Sequence, residues 1–163
     1  MNIKKLTLLS VISTGIITNI LATDKYPFWG ISINSSDING DMINTIGLRY
    51  GQQTQDWRTT FTLENREHGR QSFMVQMDKI LLQSIGTYKL RAYAGLAIGA
   101  MSQKRADDDS KDIGYVYGAT VGMMYYISDT IDMDISYKYL KTDDNIESID
   151  DFNSASIGLH YFF

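Results

Sequence analysis

The 163-residue chain has no cysteine, one proline and only two histidines. Without cysteine there is no disulfide, no thiolate nucleophile, no Cys-based metal site and no lipoprotein anchor, and the redox compartment is left open. With His68 and His160 the only imidazoles, general-base catalysis has little to stand on. There is no phosphate loop, metal-ligand cluster or nucleophile elbow. Internal repeats, low-complexity tracts and a second domain are also missing, and the length suits one domain. A mean hydropathy of −0.20 speaks against a helical membrane protein. It leaves a β-barrel open, because inward strand positions stay polar. What is abundant is aromatic: 12% of residues, 11 of them Tyr, which suits an interfacial girdle.

Met1 to Ala22 reads as a secretory signal. Lys4 and Lys5 form a basic start, Leu6 to Leu21 is an apolar run too short for a span, and Ile20-Leu21-Ala22 offers a cleavage site. Export is expected, with the mature chain beginning near Thr23. Loss of Lys4 and Lys5 takes the formal charge from −4 to −6.

Eight alternating segments follow, each with one apolar face, the pattern of a half-buried strand. The first is Phe28 to Asn34, with Trp29, Ile31 and Ile33 on one face. Asn44 to Gly51 puts Ile46, Leu48 and Tyr50 outward over Gly47 and Arg49. Trp57 to Arg66 puts Trp57, Thr59, Phe61 and Leu63 outward over Arg58, Thr60, Thr62 and Glu64. In Gln71 to Asp78 the outer row is Phe73, Val75 and Met77, and the inner one Ser72, Gln76 and Asp78. Lys89 to Met101 presents Leu90, Ala92, Ala94, Leu96, Ile98 and Ala100 against Arg91, Tyr93, Gly95 and Gly99. Ile113 to Ile127 presents Tyr115, Tyr117, Ala119, Val121, Met123 and Tyr125. Ile131 to Leu140 has Asp132, Asp134, Ser136 and Lys138 behind its apolar row, and Ser154 to Phe163 has Ser154, Ser156, Gly158 and His160 behind its own.

An even count of strands of this length predicts an all-β fold: an antiparallel, eight-stranded, up-and-down transmembrane barrel over 23–163, after the signal at 1–22. The connections support it. Ile127 to Ile131 and Gly51 to Asp56 are tight and expected to be periplasmic; Leu81 to Thr87 is apolar for a turn and could extend the fourth strand. Ser35 to Met42, Glu67 to Arg70, Ser102 to Asp112 and Lys141 to Asp151 are polar and expected to face outside the cell.

The last strand, Ser-Ala-Ser-Ile-Gly-Leu-His-Tyr-Phe-Phe, resembles the closing strand of bacterial outer-membrane barrels. With the turn-strand unit Ser128-Asp129-Thr130 to Tyr139, it makes Tyr26 to Phe163 similar to small barrels of the OmpA-like, opacity-type group. The resemblance implies an outer-membrane location, Tyr161 and Phe163 as the signal read by the barrel assembly machinery, and periplasmic chaperones in transit. Outer-membrane lipid and lipopolysaccharide would be its surroundings. It also implies a monomer that needs no cofactor. No periplasmic peptidoglycan-binding domain is present to tether it, and the short acidic connections depart from the adhesive members.

The inner rows carry Arg49, Arg58, Glu64, Asp78, Arg91, Asp132, Asp134 and Lys138, four positive and four negative. An eight-stranded interior is just wide enough for side chains to fill, so these charges must pair. Asp78 with Arg91, and Arg49 and Arg58 facing Asp132 and Asp134, are the expected arrangements. A salt-bridged plug is the plainer reading; partner exchange along a gated ion path, a small-solute pore, is the sharper one. Asp107, Asp108, Asp109, Asp143 and Asp144 are weak candidates for a divalent cation. The acidic rim speaks against nucleic acid, and only Arg66, His68 and Arg70 form a basic stretch suited to lipopolysaccharide phosphates. A lipid A-modifying enzyme would need a third group beside Ser154, Ser156 and His160, and none is assignable. A soluble lipocalin-type barrel would need the two rows reversed. The expectation is therefore a non-enzymatic envelope protein with a surface-display role.

Overall fold

The structure, a computed structural model, describes residues 24–38, 40–66, 70–81, 89–104, 111–143 and 151–163. Eight strands occupy them: β1 Tyr26–Ile38, β2 Asp41–Gln53, β3 Trp57–Arg66, β4 Arg70–Ile80, β5 Leu90–Lys104, β6 Lys111–Tyr126, β7 Ile131–Thr142 and β8 Asp151–Phe162. Each pairs antiparallel with the next, and β8 returns to β1, so the sheet is a closed barrel. Closure is what lipid demands, because hydrocarbon offers no partner to a free edge. The signal-like segment at 1–22 lies outside the described residues.

Alternation decides what each face meets. Ile33, Ile46, Leu48 and Ile157 point outward and keep 66%, 69%, 62% and 56% of their surface exposed. Their neighbours Ser32, Thr45, Arg49 and Ser156 are buried inside. This inverts a soluble barrel, which would hide the apolar row; a belt this large is stable only against lipid. Trp29, Tyr50, Tyr125 and Tyr161 stand near the end that carries Tyr26 and Phe163, and Tyr115, Tyr137 and Tyr139 toward the other. Those are two aromatic girdles, with Trp29 and Tyr161 packed 6.2 Å apart across the β1–β8 seam. Two outward residues facing each other across β3 and β4, Thr59 and Met77, are buried all the same.

The strands run further than their apolar alternation suggests. Ser35 to Met42 is not a polar connection: β1 and β2 stay paired to Ile38 and Asp41. The turn between them includes Gly40 at φ 88°, a backbone that side chains with a Cβ rarely adopt, and its N–H donates to Asp37 Oδ1 at 3.0 Å. Likewise β3 and β4 pair to Arg66 and Arg70, β5 and β6 to Lys104 and Lys111, and β7 and β8 to Lys141 and Asp151. Polarity misleads at these ends because the inner row is polar throughout, so Ser36 belongs in a strand and shares a hydrogen bond with Ser154. At the other end the β4–β5 ladder continues to Leu81, whose N–H donates to Ala92 O; residues 82–88 lie outside the described set.

Inside, the barrel is layered. Ile38, Met74, Ala97, Met101, Val116, Leu140 and Phe152 form an apolar plug at the end away from Tyr26 and Phe163. At the opposite end Ile80, Tyr93 and Met124 cluster, and Phe28 and Phe162 are buried with rings 5.5 Å apart. The buried ion pairs Arg49–Asp134 and Arg58–Asp132 lie between.

Candidate functional site

Arg49 projects from β2, which β1 and β8 separate from β7. It reaches over them to β7 and meets Asp134, Nη1 donating to Oδ1 at 2.7 Å. Its Nη2 donates to Ser156 Oγ of β8 at 2.5 Å. This reach requires a missing side chain on the way. Gly158 is opposite Asp134 in register, and a Cβ there would stand 2.5 Å from Arg49 Nη1 and 2.8 Å from Asp134 Oδ1. The other carboxylate oxygen of Asp134 accepts the Tyr93 hydroxyl of β5 at 2.5 Å. Both charges are almost fully buried, the case in which desolvation is costly unless lone pairs and protons are all engaged.

A second cluster lies beside it. Asp132 and His160 face each other on β7 and β8, with His160 Nδ1 2.6 Å from Asp132 Oδ1. Arg58 of β3 arrives from across the lumen, its guanidinium 4.4 Å above the Phe28 ring. Its Nη2 is 2.8 Å from the same His160 Nδ1, and its Nη1 is 3.5 Å from Asp132 Oδ2. One nitrogen cannot serve both neighbours at once: with a proton Nδ1 donates to Asp132, without one it accepts from Arg58. His160 Nε2 faces Arg49 Nη1 at 3.4 Å, which joins the two clusters.

The remaining inner-row charges are placed as follows. Glu64, 6% exposed, accepts from Ser72 Oγ at 3.2 Å. Lys138 is 1% exposed, between the positive field of Arg49 and the negative fields of Glu64, Asp134 and Asp78. Asp78 is fully buried and accepts from Gln76 Nε2 at 2.8 Å. Its expected partner Arg91 is elsewhere. Asp78 is opposite Gly95 on β5, four residues from Arg91, which at ~3.3 Å per residue is about 13 Å along the strand. Arg91 lies in the barrel mouth with its guanidinium 5.0 Å above the Tyr126 ring, outside the charge network. Register across a long hairpin cannot be set from the two strands alone, and this one was offset. Tyr93, Gln76, Ser72 and Ser156 are network members that charge counting passes over; their inner-row parity was the available signal.

Other candidates do not assemble. Among the described residues no group of His, Asp and Glu could hold a metal ion. Asp107, Asp108, Asp109 and Asp144 lie outside that set, and Asp143 continues the ladder, its N–H donating to Tyr115 O. Ser156 is taken by Arg49, and the His160 nitrogen that would relieve a nucleophile of its proton faces a guanidinium.

Comparison with known proteins agrees with this architecture. No protein-family model and no curated protein matches the sequence. The fold is that of small outer-membrane barrels. Outer membrane protein H (OprH) of Pseudomonas aeruginosa, solved in DHPC micelles, superposes with a TM-score of 0.67 at 20% identity, covering 85% of this chain and 99% of that one. The N-terminal barrel of P. aeruginosa OprF gives 0.61 at 14% identity over 86% and 100%. Neisserial surface protein A gives 0.57 at 13% identity over 85% and 97%. Together with the lipid-facing belt, this makes the chain an eight-stranded transmembrane β-barrel of that fold.

Proposed function

We propose that the protein is a non-enzymatic outer-membrane anchor, with a structural and surface-display role in the envelope and a lumen closed by its own side chains. One observation carries this reading: the charged layer is capped on both sides, by the plug around Met101, Leu140 and Phe152 and by Phe28 and Phe162. A side-chain-filled interior is the expected state of an eight-stranded barrel. In this proposal residues 1–22 direct export, and Tyr161 and Phe163 on β8 present the strand to the assembly machinery. Lipid and lipopolysaccharide surround a monomer, and the four hairpins opposite Tyr26 and Phe163 face the exterior. Catalysis is disfavoured because the Asp132–His160 pair has no nucleophile beside it among the described residues.

The test is single-channel recording from the purified protein in a planar bilayer. The closed barrel is expected to be silent, and removing plug volume in the double variant Leu140→Ala, Phe152→Ala is expected to produce openings. Steady conductance by the unaltered protein, changed in Asp132→Asn or Arg49→Gln, would establish the pore reading with the charge clusters as its gate.

A further inference from the structure

The mouth between Tyr26 and Phe162 holds a cavity of about 320 Å³. Three of its walls carry chemistry that the barrel itself does not use. Arg91 enters it with no carboxylate at ion-pair distance among the described residues, held instead by its face against Tyr126. The Tyr126 hydroxyl is fixed in turn, accepting Gln53 Nε2 at 2.5 Å. Gln53 is 4% exposed, and its Oε1 is buried with no hydrogen-bond partner among the described residues. Asp24, Asp129, Thr54 and Gln55 make up the rest of the polar lining, with Phe162 as an apolar wall.

We propose that this mouth binds a small zwitterion of amino-acid or dipeptide type, its carboxylate on Arg91 and its ammonium on Gln53 Oε1 and the flanking carboxylates of Asp24 and Asp129. A stacked guanidinium keeps its donor edge in one plane and free to take a carboxylate through two parallel N–H bonds. A buried amide oxygen without a donor is costly, so an arriving N–H relieves a standing penalty. Two carboxylates to one guanidinium make the lining net negative, which disfavours phosphate and other multiply charged anions. The volume is at the small end of ligand pockets and suits a ligand of about ten non-hydrogen atoms. The site does not depend on whether the lumen conducts.

Titration of the detergent-solubilised, ¹⁵N-labelled protein with alanylalanine tests this. Saturable shifts are expected at the Gln53 side-chain amide and the Arg91 Nε–H. N-acetyl-alanylalanine, lacking the ammonium, and alanylalanine amide, lacking the carboxylate, are each expected to bind at least about tenfold more weakly. Arg91→Gln is expected to abolish the response while the folded gel mobility persists; Arg91→Lys keeps the charge, loses the fork and is expected to bind more weakly. Equal binding of the N-acetyl compound or of inorganic phosphate would make this a plain anion site and overturn the proposal. Absence of any shift with alanylalanine, or unaltered binding in Arg91→Gln, would overturn it as well.

Discussion

Removing the charge from Asp134 should be among the costliest single changes in the lumen. Its carboxylate accepts both Arg49 Nη1 at 2.7 Å and the Tyr93 hydroxyl at 2.5 Å. In Asp134→Asn the Arg49 guanidinium stays buried with hydrogen-bond acceptors in the new amide oxygen and Ser156 but without its counter-ion. Breaking a buried pair from one side costs about 3–5 kcal/mol, because the surviving charge has neither water nor counter-ion. Arg49→Met, which leaves Asp134 unpaired, should cost a similar amount. Removing both should cost less than the sum by at least about 2 kcal/mol, since neither charge is then left alone. Equilibrium urea unfolding in lipid vesicles would measure this, with Trp29 and Trp57, the two tryptophans of the chain, as reporters. If the two losses add to within about 0.5 kcal/mol while both variants fold, the pair is not an energetic unit and the reasoning fails.

Two neighbours on β8 supply contrasting tests. A Cβ in Gly158→Ala would displace the Arg49–Asp134 contact, with an expected loss of about 1–3 kcal/mol in unfolding free energy; that loss should shrink in an Arg49→Met background. Ile157→Arg puts a cation on the lipid face halfway along the strand and should cost about 2–4 kcal/mol in vesicles; unaltered folding, read from heat-modifiable gel mobility, would mean that β8 does not face hydrocarbon there.

Parity made most of the fold legible. Once Trp29, Ile31 and Ile33 define one face, residues of the other face must line the lumen, and the same logic holds on all eight strands because a slip by one residue exposes every polar side chain to lipid. Strand ends were less legible: where the inner row is polar, Ser35 and Ser36 look like a loop though they remain in the ladder. The site was legible as a composition, but as pairs only in part. Arg49 and Arg58 do face Asp134 and Asp132, because charges on opposite walls of a narrow lumen have few alternatives. Arg91 and Asp78 fail to meet because adjacent-strand register depends on the hairpin between them. No strand pattern shows that the cation in the mouth is held by an aromatic ring.

The placement of the two clusters says what the buried charge does for the barrel. An up-and-down barrel gains seven of its eight strand pairings from sequence neighbours, whereas β1–β8 brings together residues over a hundred positions apart. That pairing has the highest loop-closure cost of the eight. Arg49 and Arg58, on β2 and β3, cross this seam to bind Asp134, Asp132, Ser156 and His160 on β7 and β8. The bonds therefore join the first hairpins to the last over the one junction that local chain connectivity does not support. They also discriminate between registers. A shift of two residues between β1 and β8 preserves the apolar and polar rows, so hydrophobic burial barely opposes it, but it would separate Arg49 from Ser156 by more than a hydrogen-bond length. The charges thus give specificity where the rows alone permit slippage. A barrel whose double variant Arg49→Met, Asp134→Leu stays stable yet shows two sets of β8 amide resonances would display that role directly.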